Sequence, residues 1–188
     1  MRKTEAIIIV SGLPRSGTSL MMQMLHAGGM PVLTDNMRTA DTSNPRGYFE
    51  LEAVKQTRVN AAWLADAPGR AVKVIYRLLY DLPENLEYRV LFMRRELRQV
   101  VASQQAMLGK IAASDAENQR LMAIFQRELD AVDLWLKGRS NFTVLDVPHE
   151  QLINNTLHQV RQIKAFVNHS LDAAAMCAAV DPQLYRRK

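Results

Sequence analysis

The sequence predicts a single α/β domain over residues 1–188, with a central parallel sheet of about four to five strands and helices on both faces. Three observations carry this. Short apolar runs alternate with amphipathic helical stretches, the pattern of crossover units whose strands are buried on both faces. A loop rich in glycine and proline follows the first apolar run and opens the first helix. No internal repeat, low-complexity tract or long linker divides the chain.

The elements follow in order. Ile7 to Ser11 reads as a buried strand. Gly17 to Ala27 places Leu20, Met21, Met24 and Leu25 on one helical face, and Gly28-Gly29 ends that helix. Residues 30–49 lack a period and read as a loop, and Glu50 to Ala65 reads as a helix. Val72 to Ile75 and Arg89 to Met93 are short strands, the second followed by a helix with Leu97, Val100, Val101, Gln104 and Leu108 on one side. Ser114 and Glu117 form a capping-box pattern at the start of a helix striped by Leu121, Ile124, Phe125, Leu129, Val132 and Leu136. Phe142 to Val147 is the last strand, and a long helix carries Ile153, Leu157, Val160, Ile163 and Val167.

Composition narrows the function classes. With 48% hydrophobic and 23% charged residues the chain is an ordinary globular one, which excludes disorder and collagen-like structure. Lys+Arg exceeds Asp+Glu by 24 to 19, a net charge of +5 that suits an anionic ligand. The basic residues are scattered and aromatics are 6%, so no stacking platform for nucleic acid is expected. The single cysteine, Cys177, fits a reducing compartment. The apolar run after Arg2 and Lys3 is too short for a secretion signal, and no stretch reaches membrane-span length, so a cytoplasmic protein is expected. No His/Cys cluster has metal-ligand spacing, so no metal is expected.

In a parallel α/β sheet, ligands bind beyond the carboxyl ends of the strands. The loop after the first strand reads Gly12-Leu13-Pro14-Arg15-Ser16-Gly17-Thr18-Ser19. Its glycines let backbone N–H groups turn inward, and the following helix adds its unpaired N–H groups and the positive end of its dipole. This is a phosphate cradle of the P-loop type, against the alternative of a plain Gly/Pro turn with a solvated arginine. The pattern's lysine is missing, since Thr18 stands in its place and the basic residue, Arg15, lies inside the loop. That argues against an ordinary ATP or GTP hydrolase.

The segment Leu13-Pro14-Arg15-Ser16-Gly17-Thr18-Ser19-Leu20 resembles the 5′-phosphosulfate loop of sulfotransferases, closest in flavour to tyrosylprotein sulfotransferases and their bacterial relatives. The resemblance implies 3′-phosphoadenosine 5′-phosphosulfate (PAPS) as the sulfuryl donor, held by Gly12, Pro14, Arg15, Ser16, Gly17, Thr18 and Ser19. It also implies an arginine at the end of a later strand and a serine eight residues on, both holding the 3′-phosphate. Arg95 and Ser103 have that spacing. Asn44-Pro45-Arg46-Gly47-Tyr48-Phe49-Glu50 is similar to a segment of the bacterial members. Val147 to Leu152 is similar to another, with His149 where tyrosine is usual, and Asp181-Pro182 with Leu184 and Arg186-Arg187 resembles the family's C-terminal end. The Arg-Lys-Gly segment of the larger cytosolic enzymes is absent, and Arg186, Arg187 and Lys188 are candidates to replace it.

Sulfuryl transfer needs positioning and charge stabilisation, as phosphoryl transfer does. Arg15 is the candidate for charge on the leaving phosphate oxygen. Glu50 is the candidate base, because it ends a loop that should cross the mouth of the cradle, although an acid there also suits a helix start. Asp35 is next in order as base. His26, His158 and His169 read as structural or exposed. Lys73 is either a snorkelling lysine on an edge strand or a second sulfate contact. The acceptor hydroxyl or amine is left open among small-molecule, lipid, carbohydrate and peptide classes, and no oligomeric state is selected. Two rivals stand beside this reading: a Mg²⁺-dependent kinase or hydrolase using Asp146, and a non-catalytic nucleotide-binding protein.

Overall fold

A computed structural model describes residues 5–35, 37–39, 44, 47–108 and 114–181. Its sheet is built from β1 (Ile7–Gly12), β2 (Val32–Leu33), β3 (Ala71–Lys73), β4 (Tyr88–Arg94) and β5 (Phe142–Pro148). All neighbouring pairs are parallel, in the order β2-β3-β1-β4-β5. The strand that opens the chain is therefore central, and every residue of it is buried. The run Ile7-Ile8-Ile9-Val10 is apolar at consecutive positions because helices cover both faces.

Side chains alternate between two apolar clusters. Ile8, Val10, Ala71 and Leu91 point into one, with α1 (Thr18–Ala27), α4 (His149–Asn154), α5 (Thr156–Val167) and α6 (Ala173–Ala178). Ile7, Ile9, Val72, Val90 and Phe92 point into the other, with α2 (Leu97–Met107), α3 (Asp115–Lys137) and three 3₁₀ turns. Alternation along β3 sends Lys73 to the α1 side, the side of Ala71. The Ser114–Glu117 capping box starts α3 as expected, each side chain bonding the other's backbone N–H.

Several expectations need correction. The stretch 50–65 is not one helix but two 3₁₀ turns, Glu52–Gln56 and Ala62–Asp66. Val59 and Asn60 between them are exposed, and the Asn60 side chain accepts from the Ala62 N–H at 3.0 Å, which separates the two turns. The loop 30–49 contributes the short edge strand β2, too brief to show a period. The last long helix is broken at Asn155, whose ψ of 50° lies outside the helical range, into α4 and α5. Helix α6 and the 3₁₀ turn Tyr76–Asp81 were not expected. Leu108, Ile124 and Leu157 lie half exposed rather than in the core. Residues 182–188, with the basic tail, and Pro45 and Arg46 lie outside the described residues.

Candidate functional site

Helix α1 begins at the carboxyl end of β1, and the turn between them is made by unusual backbone. Gly12, Arg15 and Gly17 have φ of 139°, 71° and 106°. Glycine is required at the first and third. A Cβ on Gly12 would lie 2.7 Å from the Met93 carbonyl oxygen, and one on Gly17 would lie 2.4 Å from His149 Cδ2. Arg15 is the non-glycine residue held in this left-handed region, a strain that turns its side chain toward α2.

Gly17, Thr18, Ser19 and Leu20 line a cavity of about 580 Å³. Their N–H groups belong to the first turn of α1, which has no carbonyls of its own to bond. Pro14 and Arg15 line the cavity as well. Gly12 and Ser16 lie beneath the loop instead: Ser16 N–H donates to the Leu13 carbonyl at 3.1 Å, and its buried Oγ sits against Gly12.

The second expected anchor is arranged differently from its simplest form. Arg95 and Ser103 both converge on Arg15. Arg15 Nε donates to Ser103 Oγ at 3.0 Å, and Arg95 Nη1 donates to the Arg15 carbonyl at 3.0 Å while its Nε donates to Gln99. Ser103, in the second turn of α2, meets the cavity through the Arg15 guanidinium. Arg94, next to Arg95, is engaged away from the cavity. It donates to Asp146 at 2.7 Å and to Asp133 at 2.6 Å, tying β4 to β5 and α3. Asp146, the acid that the kinase reading needs, is thus engaged by an arginine.

On the other side of β1 the strap 47–52 lines the cavity through Tyr48, Glu50 and Leu51. Gly47 (φ 89°) and Phe49 (φ 52°) bend it so that Tyr48 is buried and Glu50 faces the cavity with Arg15. Lys73 is not on an edge strand, since β3 lies between β2 and β1. Its Nζ donates to the Tyr48 carbonyl at 3.0 Å, to Ser19 Oγ at 3.2 Å and to Glu50 Oε1 at 3.4 Å. Burial holds the Lys73 ammonium below its usual pKa, with Glu50 pulling the other way. Glu50 also accepts from Arg38 Nη1 at 3.1 Å, and the Arg38 guanidinium stacks 3.5 Å from the Tyr48 ring centre. Asp35 is removed as a base. Its carboxylate accepts from the Glu52 and Met37 N–H groups, which hold it below its usual pKa and fix the strap.

His149 was the residue that sequence reasoning undervalued. It opens α4 directly after β5, is buried, and packs its ring on Gly17. Its place at a strand's carboxyl end was the available signal. Burial, reinforced by the Arg95 charge, pushes it down to about 4, so it is neutral at pH 7. The sign of the consequence is fixed. As pH falls below 6.5 the unfolded chain takes up this proton and the native one does not until about pH 4, so stability declines across that window by up to about 3 kcal/mol. We expect His149→Gln to lack this part of the acid sensitivity when urea denaturation is compared at pH 7 and 4.5. An unchanged loss between the two pH values in the variant would assign it elsewhere.

Five cationic side chains, Arg15, Arg38, Lys55, Lys73 and Arg95, and two carboxylates, Glu50 and Asp181, line the cavity among the described residues. The balance suits an anion. Among the described residues no three His, Cys, Asp or Glu side chains come together as a metal site. No helix among them is long and apolar enough to cross a membrane.

A five-stranded parallel α/β domain with a cation-lined cradle at the end of its central strand is the class that these observations define. The particular fold is that of bacterial sulfotransferase domains. The chain is similar to the sulfotransferase domain of the olefin synthase of Synechococcus PCC 7002, with TM-score 0.56 and 14% identity over 96% of this chain and 80% of that one. It is also similar to a sulfotransferase from Alicyclobacillus acidocaldarius, with TM-score 0.50 and 13% identity over 97% of this chain and 89% of that one. No protein-family profile and no curated protein sequence matches.

Proposed function

We propose that this protein transfers a sulfuryl group from PAPS to a hydroxyl or amine acceptor. The observation that carries this is the cation at the cradle. Thr18 takes the place of the P-loop lysine, and the buried ammonium of Lys73 is brought by the neighbouring strand to the same first turn of α1, at Ser19. A nucleotide hydrolase reading has no comparable support, because Asp146 bonds Arg94.

PAPS fits the residues present: four first-turn N–H groups and Lys73 for the sulfuryl end, and Arg95 for the 3′-phosphate, with Ser103 acting through Arg15. When bound it supplies a sulfuryl group on a phosphate leaving group. Glu50 takes the acceptor proton as the acceptor oxygen or nitrogen attacks sulfur and the sulfur–oxygen bond to phosphate breaks. Lys73 and Arg15 stabilise the negative charge that develops on the departing oxygen. Pro14, Gly17, Thr18 and Ser19 shape the cradle, with Gly12 and Ser16 supporting it from below.

The test is ligand choice. Adenosine 3′,5′-bisphosphate should bind at least tenfold more tightly than AMP in calorimetry, without Mg²⁺, because a charge-assisted pair to the 3′-phosphate adds about 1.5–3 kcal/mol. Equal affinity for the two would remove Arg95 and Ser103 from the site. A strict Mg²⁺ requirement would favour phosphoryl chemistry instead.

A further inference from the structure

The half of the cavity on the β3 side carries an apolar patch beside its charged groups. Leu51 and Val54 lie three residues apart along the strap and its 3₁₀ turn, and Ile75 and Leu78 lie three apart leading into the next. That spacing puts each pair on one face. Leu51, Val54 and Leu78 belong to a single apolar cluster, and all four line the cavity. They flank Glu50 and Lys73, at positions 51 and 75 in the chain beside residues 50 and 73. Three cations stand on this side: Arg38 and Lys73 share Glu50, at 3.1 and 3.4 Å, and Lys55 pairs with Glu52 at 2.7 Å.

We infer that the acceptor is a small molecule whose reacting hydroxyl is carried on an apolar body, rather than a carbohydrate. This rests on the sulfuryl-transfer reading for the role of the hydroxyl, but the patch itself does not. A sugar brings several hydroxyls, each of which loses water on entering and needs a partner, and leucine, valine and isoleucine offer none. An apolar chain gains from the same patch in proportion to the surface it buries. The hydroxyl end must lie at Glu50, since that carboxylate sits where the patch meets the cradle.

Binding of defined probes to the full chain, in the presence of saturating adenosine 3′,5′-bisphosphate, tests this. From 1-butanol through 1-hexanol the dissociation constant should fall about fourfold per added methylene. Methyl glucoside should bind more weakly than any of them. Ile75→Ser and Leu78→Ser, both at half-buried positions, should weaken 1-hexanol binding at least fivefold while bisphosphate affinity stays within twofold of wild type. A flat alcohol series, tighter binding of methyl glucoside, or no response of 1-hexanol to the two substitutions would overturn the inference. These outcomes are distinct from failure of the functional reading. If the bisphosphate binds no better than AMP while the alcohol series holds in its absence, the apolar site stands and the sulfuryl-transfer assignment falls.

Discussion

Lys73→Met should lower sulfuryl transfer by about 10²–10³-fold while leaving adenosine 3′,5′-bisphosphate affinity within about threefold of wild type. The magnitude is that of removing one preorganised group aimed at charge developing in a transition state. Methionine fills similar volume at this buried position, so the strap and β3 keep their packing. The readout needs no known acceptor, because slow transfer from labelled PAPS to water measures the same charge stabilisation. If bisphosphate affinity collapsed while the bound enzyme turned over normally, Lys73 would be a ground-state anchor only. A pH profile adds an independent check. Burial lowers the Lys73 pKa, so the ammonium deprotonates below pH 10.5, and transfer should decline along an alkaline limb that begins below that value. Lys73→Arg, which stays charged, should lack the limb. Stability runs the opposite way. Between the lowered pKa and 10.5 the unfolded chain holds more protons than the native one, so stability rises with pH across that window.

Much of this arrangement was legible in the residues, and what was not has physical causes. The central strand announced itself because four consecutive large apolar residues are stable only where both faces are covered. The capping box at Ser114 was legible because its bonds are local. The turn after β1 was legible for the same reason, since at Gly12 and Gly17 a positive φ coincides with no room for a Cβ. Lys73 stayed undecided because its role depends on strand order. The sequence cannot show that β3 lies inside the sheet, and on an edge the same lysine would have snorkelled to water. The strap misled because Glu50 to Ala65 has helix-forming residues, while the long-range bonds of Asp35 and Thr34 to residues 50 and 52 hold its start in another path. Arg15 and Ser103 meet across 88 positions, beyond the reach of any local rule.

Glu50→Gln is expected to cut transfer by about 10²–10⁴-fold, the size of a general-base contribution, and to leave bisphosphate binding intact or slightly tighter. The substitution is chosen because glutamine retains an oxygen at Oε1. It can still accept from Lys73 and from Arg38, so the two cations and the Tyr48 stack should keep their places. What glutamine lacks is the capacity to take a proton. Two roles for Glu50 therefore separate. If it acts as base, glutamine is nearly as damaging as alanine, because geometry without basicity does not help. If it only holds Lys73 and Arg38 in position, glutamine should transfer within about threefold of wild type and alanine should be the damaging change. Binding of the bisphosphate controls for folding in both variants. Removing a negative charge beside Lys73 and Arg38 also makes the cavity more cationic, which is why nucleotide affinity should hold or rise. The same experiment bears on the non-catalytic reading. A wild-type protein that binds the bisphosphate tightly, yet transfers to neither water nor 1-hexanol at a rate that Glu50→Gln or Lys73→Met can lower, would be a nucleotide-binding protein on a sulfotransferase fold.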